Sequence, residues 1–288
     1  MKGHCGCDSQ VRAIEIHKPR VTAPPQPAQT LRIIDLEGGC NFRDLGGYRT
    51  RDGRELKWGR VFRTGVLSYF TPKDNERLNQ LGVRAICDLR RAEEREYERT
   101  YWPDANTKHF NWEDGSTPPS IRTIAANLPY TAAGLHAAMI DLYRALPAWM
   151  TPRLRGMFKC IAQGEIPVLV HCAAGKDRTG IAIALLLAAL DVPHETIIED
   201  YLLTNACDLV QFTVTHQAQP ADATGDPPLL TMPEDIRRVL FAADAGYLNA
   251  ALDQIALDHG DILTYLRKEI GVDDAMRSKV QAALLSAG

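Results

Sequence analysis

The stretch PVLVHCAAGKDRTGIAIALLLAAL, residues 167–190, contains the pattern that decides the fold. Its first four residues, 167–170, form a short apolar run that is typical of a buried strand. Its last ten residues, 181–190, are apolar throughout and indicate a buried helix. A strand, a tight loop and a helix in this order are typical of a phosphate-binding turn in a mainly parallel sheet.

Segments nearer the N-terminus support an alternation of strands and helices. The run VRAIC at residues 83–87 is short, apolar and partly β-branched, which favours a strand. A helix is expected before it, because Thr71 can cap a helix that begins at Pro72. The run KHFNW at residues 108–112 indicates a further strand. The sequence therefore predicts an α/β domain.

The second half of the chain is mostly helical in pattern. Residues 112–132 show little periodicity and are predicted to form a loop or lid. Residues 133–163 indicate a helix interrupted near Pro147 and Pro152, since proline removes a backbone donor. From Pro193 onward the pattern is helix after helix, which predicts an added helical segment.

Composition narrows the classes of function. The 288 residues are 45% hydrophobic and 24% charged, near the average for globular proteins. A net charge of -3 argues against nucleic-acid binding through overall charge. Seven cysteines without regular spacing favour a reducing compartment over a disulfide framework. No secretory signal is visible and the longest apolar run has ten residues, so we expect a cytoplasmic location and no membrane span, with export by a route other than a Sec-type signal as the alternative.

The N-terminal residues differ in character from the remainder. Residues 1–29 are polar and proline-rich toward their end, which predicts a flexible leader before a single domain over residues 30–288. Cys5 and Cys7 lie in this leader beside His4. One short cluster without a second pair favours an unstructured tail over a metal site.

The ten residues HCAAGKDRTG, 171–180, place a cysteine and an arginine at a spacing with chemical meaning. Five residues separate Cys172 from Arg178, so a curled loop can direct the sulfur and the guanidinium to the same anion. The thiolate is the nucleophilic form of cysteine, and loop N–H groups and a helix N-terminus stabilise it. Arginine offers a planar fork of donors to two phosphate oxygens. The loop therefore predicts cleavage of a phosphate ester, with Cys172 as nucleophile and Arg178 as clamp.

The remaining residues of this loop are predicted to bind the substrate phosphate. Gly175 lets the backbone turn tightly, Thr179 can donate its hydroxyl to the sulfur, and Gly180 allows close packing at the helix start. Lys176 either adds a second positive charge or is a solvated lysine of the first helical turn. The predicted substrate-binding set is Ala173, Ala174, Gly175, Lys176, Thr179 and Gly180.

The loop resembles the signature of the cysteine-dependent protein tyrosine and dual-specificity phosphatases. More narrowly, it is similar to bacterial atypical tyrosine phosphatases whose loop reads HCxxGKDRT, some of which also act on phosphoinositides. Three further segments resemble that group: NFRDLGGY at 41–48, VFRTGVL at 61–67 and AICDLR at 85–90. The resemblance implies a single phosphatase domain with a central, mostly parallel sheet flanked by helices, and a helical lid or C-terminal helical segment. It implies no metal and no organic cofactor.

The resemblance also implies a substrate class. We expect a phosphorylated protein, with phosphotyrosine first and dual specificity open, or a phosphoinositide. A pseudophosphatase that only binds phosphorylated partners is a further alternative, against which the intact Cys172, Arg178 and Thr179 speak. The oligomeric state does not follow from the sequence.

Three aspartates are candidates for the acid that protonates the leaving oxygen. Asp177 lies inside the loop, as in some lipid-type phosphatases that the family resemblance makes relevant. Asp88 ends a strand expected to be parallel to residues 167–170, so both strand ends would open onto one crevice. Asp104 follows Trp102 and Pro103, but it precedes a probable strand and is interpreted as a turn residue. Asp177 and Asp88 are the predicted catalytic acids.

Two further hypotheses concern neighbouring residues. Arg43 and Asp44 are expected to pair with each other and brace the scaffold. Cys87 adjoins Asp88 and could form a protective disulfide with Cys172, although adjacent strand residues point to opposite faces.

Overall fold

The computed structural model describes residues 32–112, 115–216 and 229–287. The predicted leader at 1–29, with Cys5 and Cys7, lies outside these residues. Among the described helices, none is long and apolar enough to cross a membrane.

A five-stranded sheet forms the centre of the fold. Its strand order is β1-β2-β5-β3-β4, in which only β1 is antiparallel to its neighbour. This confirms the predicted central, mostly parallel sheet. The strands are β1 (Arg43–Asp44), β2 (Val61–Thr64), β3 (Ala85–Asp88), β4 (Lys108–Asn111) and β5 (Val168–His171).

The central strand β5 is buried on both faces, which explains its unbroken apolar run. Val168 and Val170 belong to the larger hydrophobic core on one face of the sheet. Leu169 belongs to a second core on the other face, where it joins Phe62 and Ile86 from the flanking strands. The sheet therefore separates two apolar layers and fixes the loop that follows β5.

Helices cover the sheet and extend the C-terminal half, which confirms the α/β fold and the added helical segment. They are α1 (Pro72–Asn79), α2 (Ala92–Tyr97), α3 (Ile121–Ala125), α4 (Ala132–Ala162), α5 (Asp177–Ala189), α6 (His194–Leu202), α7 (Leu209–His216), α8 (Glu234–Phe241), α9 (Ala245–His259), α10 (Ile262–Tyr265) and α11 (Asp274–Leu284), with 3₁₀ turns at Leu203–Ala206 and Leu229–Thr231 and a π turn at Leu266–Ile270.

Helix α1 begins as the sequence predicted. The Thr71 hydroxyl accepts from the Asp74 backbone N–H at 3.2 Å, and the Asp74 carboxylate accepts from the Thr71 N–H at 2.9 Å. This capping box satisfies two donors that a helix start would otherwise leave unpaired.

The prediction of a helix interrupted at two prolines was wrong. Helix α4 is continuous over 31 residues, with Pro147 and Pro152 inside it. The carbonyl of Pro147 accepts from the Tyr265 hydroxyl at 3.1 Å. Many side chains of α4 are buried in the larger core, so tertiary packing outweighs the lost backbone bonds.

Residues 112–132 are less irregular than predicted, because α3 lies within them. The described residues on either side of α3 have no regular secondary structure, in agreement with the prediction of a loop.

Candidate active site

Three parallel strands end at the same edge of the sheet and place the candidate site there. In the register, His171 at the end of β5 pairs with Thr64 of β2 on one side and Asp88 of β3 on the other. Cys172 follows directly and is only 2% exposed. The crevice beyond the carboxyl ends of parallel strands is where ligands bind in such sheets.

The loop after Cys172 turns at a glycine that no other residue could replace without strain. Gly175 has φ +66°, and an added Cβ would lie 2.5 Å from the carbonyl oxygen of Thr64. The Gly175 carbonyl accepts from Asn41 Nδ2 at 2.9 Å and from Arg63 at 2.8 Å. These bonds fix the outer side of the loop from two neighbouring segments.

A buried ion-pair network supports the loop from behind. Asp200 of α6 accepts from Arg63 at 2.6 Å, from Arg43 at 3.1 Å and from the Tyr48 hydroxyl at 3.0 Å. Burial opposes its ionisation, yet the two arginines hold the pKa of Asp200 far below its usual range. Breaking such a buried pair is costly, so the network keeps the loop in one geometry.

The expected pair of Arg43 and Asp44 does not form. Adjacent strand residues face opposite sides, so Arg43 reaches Asp200 whereas Asp44 accepts the backbone N–H groups of Gly46 and Gly59.

The guanidinium of Arg178 is held by a carboxylate from another element. Its two terminal nitrogens each donate to Glu94 of α2 at 2.7 Å, in a bidentate ion pair. Burial opposes the charge, but Glu94 raises the pKa of Arg178, and Cys172 and Asp177 add to this. Burial also opposes the ionisation of Glu94, but Arg178 outweighs this effect and lowers the pKa of Glu94 to about 2. Two of five N–H donors face Glu94, so three remain for a phosphate.

Thr179 lies in the first turn of α5, close after Arg178. The hydroxyl oxygen is buried and makes no hydrogen bond to the described residues. The predicted bond from Thr179 to the sulfur of Cys172 is therefore absent in this state. A buried hydroxyl without a partner is costly, which favours a bond formed during the reaction. Gly180 lies against the ring of Tyr201, where a Cβ would come within 2.9 Å.

Lys176 and Asp177 face each other instead of lying side by side in solvent. The Lys176 ammonium is buried and donates to Asp177 Oδ1 at 2.7 Å. The Tyr143 hydroxyl of α4 donates to the same oxygen at 2.6 Å and also lies 2.6 Å from the Tyr201 hydroxyl. Burial opposes ionisation, but Lys176 and Tyr143 hold the pKa of Asp177 below its ordinary value. Lys176 is buried, so it is not the solvated lysine of a first helical turn, and its positive charge lies beside Asp177.

Asp88 lies at the same sheet edge but is enclosed by donors. Its carboxylate accepts from Arg90 at 2.7 Å and 3.0 Å and from the Thr100 hydroxyl at 3.2 Å, and His171 Nε2 lies 3.4 Å away. Burial opposes ionisation, yet His171 and Arg90 hold the pKa of Asp88 far below its usual range. Asp88 is therefore a fixed anion in this structure.

Asp104 occupies a turn, as the sequence indicated. Its carboxylate accepts from the Asn106 backbone N–H at 2.9 Å, and its carbonyl accepts from Thr107 at 3.1 Å. The strand β4 begins at the next residue, Lys108.

The cysteines beside the site form thiol pairs among themselves. The thiol of Cys160 in α4, together with burial, raises the pKa of Cys87, and the thiol of Cys207 does the same for Cys40. All four cysteines are free thiols. The pairing of Cys87 with Cys160 gives no support to the hypothesis that Cys87 protects Cys172. No group of His, Cys, Asp or Glu side chains among the described residues could hold a metal ion.

Sequence reasoning missed Glu94, Tyr143 and Arg63. Glu94 lies three residues after Arg91, a position where an acidic residue commonly caps a helix start. This capping role accounts for Glu94 locally, so the sequence gives no separate sign of its bond to Arg178. Tyr143 is one of many large residues along α4, and nothing in that pattern distinguishes it. Arg63 lies within VFRTGVL, so the motif itself was the available signal.

Comparisons with known proteins place the chain in a family. The profile of the tyrosine phosphatase family matches residues 34–286. A protein of Cupriavidus necator, named as a candidate tyrosine-protein phosphatase, is 33% identical over 82% of this chain and 83% of its own length. The triple specificity protein phosphatase PtpB of Mycobacterium tuberculosis is 27% identical over 88% of this chain and its entire length. A tyrosine-protein phosphatase of Nostoc commune is 32% identical over 49% of this chain and 47% of its own.

The family profile covers nearly all of the described residues, including the loop, the sheet and the C-terminal helices. The alignment with the Cupriavidus protein spans more than two thirds of both chains. The chain therefore belongs to the tyrosine phosphatase family and is a cysteine-dependent phosphatase.

Proposed function

We propose that the protein hydrolyses phosphotyrosine in proteins through a phosphocysteine on Cys172. The observation that carries the proposal is the loop itself, which joins a buried strand to a buried helix and holds Arg178 beside a carboxylate partner. Cys172 is 2% exposed, so a phosphorus atom has to reach a buried sulfur. An extended aryl ester can do this more readily than a short alkyl ester.

The first step transfers the phosphoryl group to the enzyme. The Cys172 thiolate attacks phosphorus, the S–P bond forms, and the P–O bond to the tyrosine oxygen breaks. Arg178 and the loop amides stabilise the charge on the equatorial oxygens. Asp177 gives its proton to the departing phenoxide, so that neutral tyrosine leaves.

The second step releases phosphate. Water attacks the phosphorus, Asp177 accepts a proton from that water, and the S–P bond breaks to restore the thiolate. The hydroxyl of Thr179, which has no partner among the described residues, can donate to the sulfur as it leaves. Asp177 thus loses one proton in the first step and regains one in the second.

Asp177 is favoured over Asp88 as the acid. The Asp177 side chain is 29% exposed, whereas that of Asp88 is 7% exposed and surrounded by donors. A phosphate dianion in the loop adds negative charge near Asp177 and makes its protonation easier. Protonation of Asp88 would leave the buried Arg90 without its counter-ion, at a large cost in free energy.

A phosphoinositide is the second candidate substrate, and Arg91 favours it. Arg91 Nε and Arg178 both donate to Glu94 Oε2, at 3.0 Å and 2.7 Å, so two guanidinium groups lie close together. The Arg91 side chain is 45% exposed and could meet a second phosphate.

A cytoplasmic location and a single domain over 30–288 remain part of the proposal. The five cysteines in the described ranges are free thiols, which suits a reducing compartment.

Metal-free phosphate release from a panel of substrates tests the proposal. The panel contains phosphotyrosine, phosphoserine and phosphothreonine peptides and phosphoinositides, and Cys172→Ser and Arg178→Ala are the controls. We expect turnover that is highest on phosphotyrosine and is lost in both variants. Turnover that survives in Cys172→Ser would overturn the mechanism, and binding without turnover would support the pseudophosphatase alternative.

A further inference from the structure

Asp177 accepts two hydrogen bonds on one oxygen, one from Lys176 of the loop and one from Tyr143 of α4. Lys176 Nζ lies 2.7 Å and the Tyr143 hydroxyl 2.6 Å from Oδ1. Lys176 and Tyr143 are both buried. No hydrogen bond from the described residues reaches Oδ2 of this carboxylate.

The direction of the bonds follows from the chemistry of the groups. An ionised carboxylate can only accept, so the Tyr143 hydroxyl donates its one proton to Asp177. The hydroxyl of Tyr201, at 2.6 Å, must then donate to the oxygen of Tyr143. The two tyrosines thus form an ordered chain from α6 through α4 to the catalytic loop.

This arrangement gives the two oxygens of Asp177 different tasks. Oδ1 is fixed from the buried side, although the carboxylate as a whole is 29% exposed. Oδ2 accepts no hydrogen bond from the described residues, so it is the oxygen left for a leaving oxygen or an attacking water.

We propose that Tyr143 is a positioning residue for proton transfer by Asp177, and that Tyr201 orients Tyr143. The inference rests on the proposed function, in which Asp177 exchanges a proton with the leaving oxygen. Tyr143 touches neither substrate nor sulfur in this account. It fixes Oδ1 so that Oδ2 carries the proton.

The tyrosines remain neutral while they do this. Burial raises the pKa of Tyr143 well above its ordinary value, with Asp177 adding to the effect, and burial also raises the pKa of Tyr201. A neutral donor stabilises the ionised carboxylate. Loss of the Tyr143 hydroxyl is therefore expected to raise the pKa of Asp177.

A purely structural role for the tyrosine cluster is the competing explanation. Tyr247 provides the matched control, because its ring lies 5.5 Å from that of Tyr143 and 5.8 Å from Lys176 Nζ. Its hydroxyl donates to the backbone carbonyl of Val239 and not to Asp177. Tyr247→Phe therefore alters the same cluster without touching the acid.

The test compares two substrates that differ in leaving group. The departing p-nitrophenolate of p-nitrophenyl phosphate is a weak base and needs little help from an acid. Phenyl phosphate has a leaving group as basic as a tyrosine side chain and needs that help. In Tyr143→Phe we expect kcat on phenyl phosphate to fall by about 10-fold, a fraction of the 10²–10⁴-fold supplied by a general acid. The value on p-nitrophenyl phosphate should change by about 2-fold at most.

The pH profile adds an independent readout. The alkaline limb of kcat on phenyl phosphate, which reports the enzyme with the phosphate dianion in its loop, should move to higher pH in Tyr143→Phe, because the acid keeps its proton longer. Tyr201→Phe should move it less in the same direction, and Tyr247→Phe should leave it in place. Thermal melting of each variant shows that the fold is intact.

Each negative result has a distinct meaning. Equal losses on both substrates in Tyr143→Phe and Tyr247→Phe, without movement of the limb, would overturn the positioning role. A folded Tyr201→Phe protein with the wild-type pH profile would show that Tyr201 does not orient Tyr143. If Asp177→Asn itself shows no dependence on the leaving group, the acid of the proposed function is wrong. Turnover in Cys172→Ser would instead refute the cysteine mechanism.

Discussion

Two aspartates at the same end of the sheet have opposite surroundings. Asp88 ends β3, accepts from Arg90 and Thr100, lies 3.4 Å from His171 Nε2, and is 7% exposed. Asp177 begins α5, and its donors occupy one oxygen and leave the other open. A carboxylate with every oxygen engaged stabilises the fold, whereas one with an open oxygen can exchange a proton. Position in the crevice alone does not separate these roles.

The largest loss of activity is expected when Asp177, the proposed acid, is replaced. Asp177→Asn keeps the size of the side chain but cannot release a proton. We expect kcat on phenyl phosphate to fall by about 10²–10⁴-fold. The loss should be much smaller on p-nitrophenyl phosphate, as steady-state kinetics on both substrates would show. A uniform loss on the two substrates would contradict the assignment.

Asp88→Asn should act on stability first. It leaves the fully buried Arg90 without its counter-ion, and we expect the free energy of unfolding to fall by about 3 kcal/mol. Because the pKa of Asp88 is lowered in the folded state, its contribution is complete above about pH 4 and is lost as the pH falls further. Urea unfolding of both proteins should give a difference that shrinks as the pH falls below about 4. A difference that grows in acid would contradict this account.

Glu94→Gln should have an intermediate effect on catalysis. The amide keeps one acceptor but removes the charge that orients Arg178. We expect kcat/KM to fall by about 10-fold, through a less ordered guanidinium. With a phosphotyrosine peptide as substrate, Arg91→Gln is the matched control, because it removes the other partner of Glu94 and leaves the bond to Arg178 intact. An unchanged kcat/KM in Glu94→Gln would show that Arg178 needs no such support.

The smallest effect is expected at Asp104. Asp104→Asn retains an acceptor for the Asn106 N–H in the turn before β4. Activity and leaving-group dependence should stay within about 2-fold of wild type, since surface substitutions of this kind change little. A loss comparable to that of Asp177→Asn would identify a different acid.

The sequence predicted the parts of the site that are contiguous in the chain. The strand, the loop from Cys172 to Arg178 and the helix depend on local periodicity and on one glycine, and all three lie where the pattern indicated. Contacts between distant segments could not be predicted in this way. Glu94 and Tyr143 reach the loop across 84 and 34 residues of sequence, and each also satisfies a local pattern of its own.

The same reasoning explains the two local errors. Pro147 and Pro152 argue against a continuous helix on backbone grounds, but the buried face of α4 decides the outcome. Arg43 and Asp44 are neighbours in sequence, yet the pleat turns them apart and Asp200 supplies the buried counter-ion. Long-range packing thus determined the continuity of α4, and long-range charge pairing determined the partner of Arg43.

The central claim is that Cys172 carries the phosphoryl group. The most direct measurement is mass spectrometry of enzyme quenched in acid during turnover of a phosphotyrosine peptide, in wild type and in Cys172→Ser. We predict a phosphate adduct on the peptide that contains Cys172, and none in the variant. Turnover without an adduct on Cys172, or an adduct on another residue, would contradict the account.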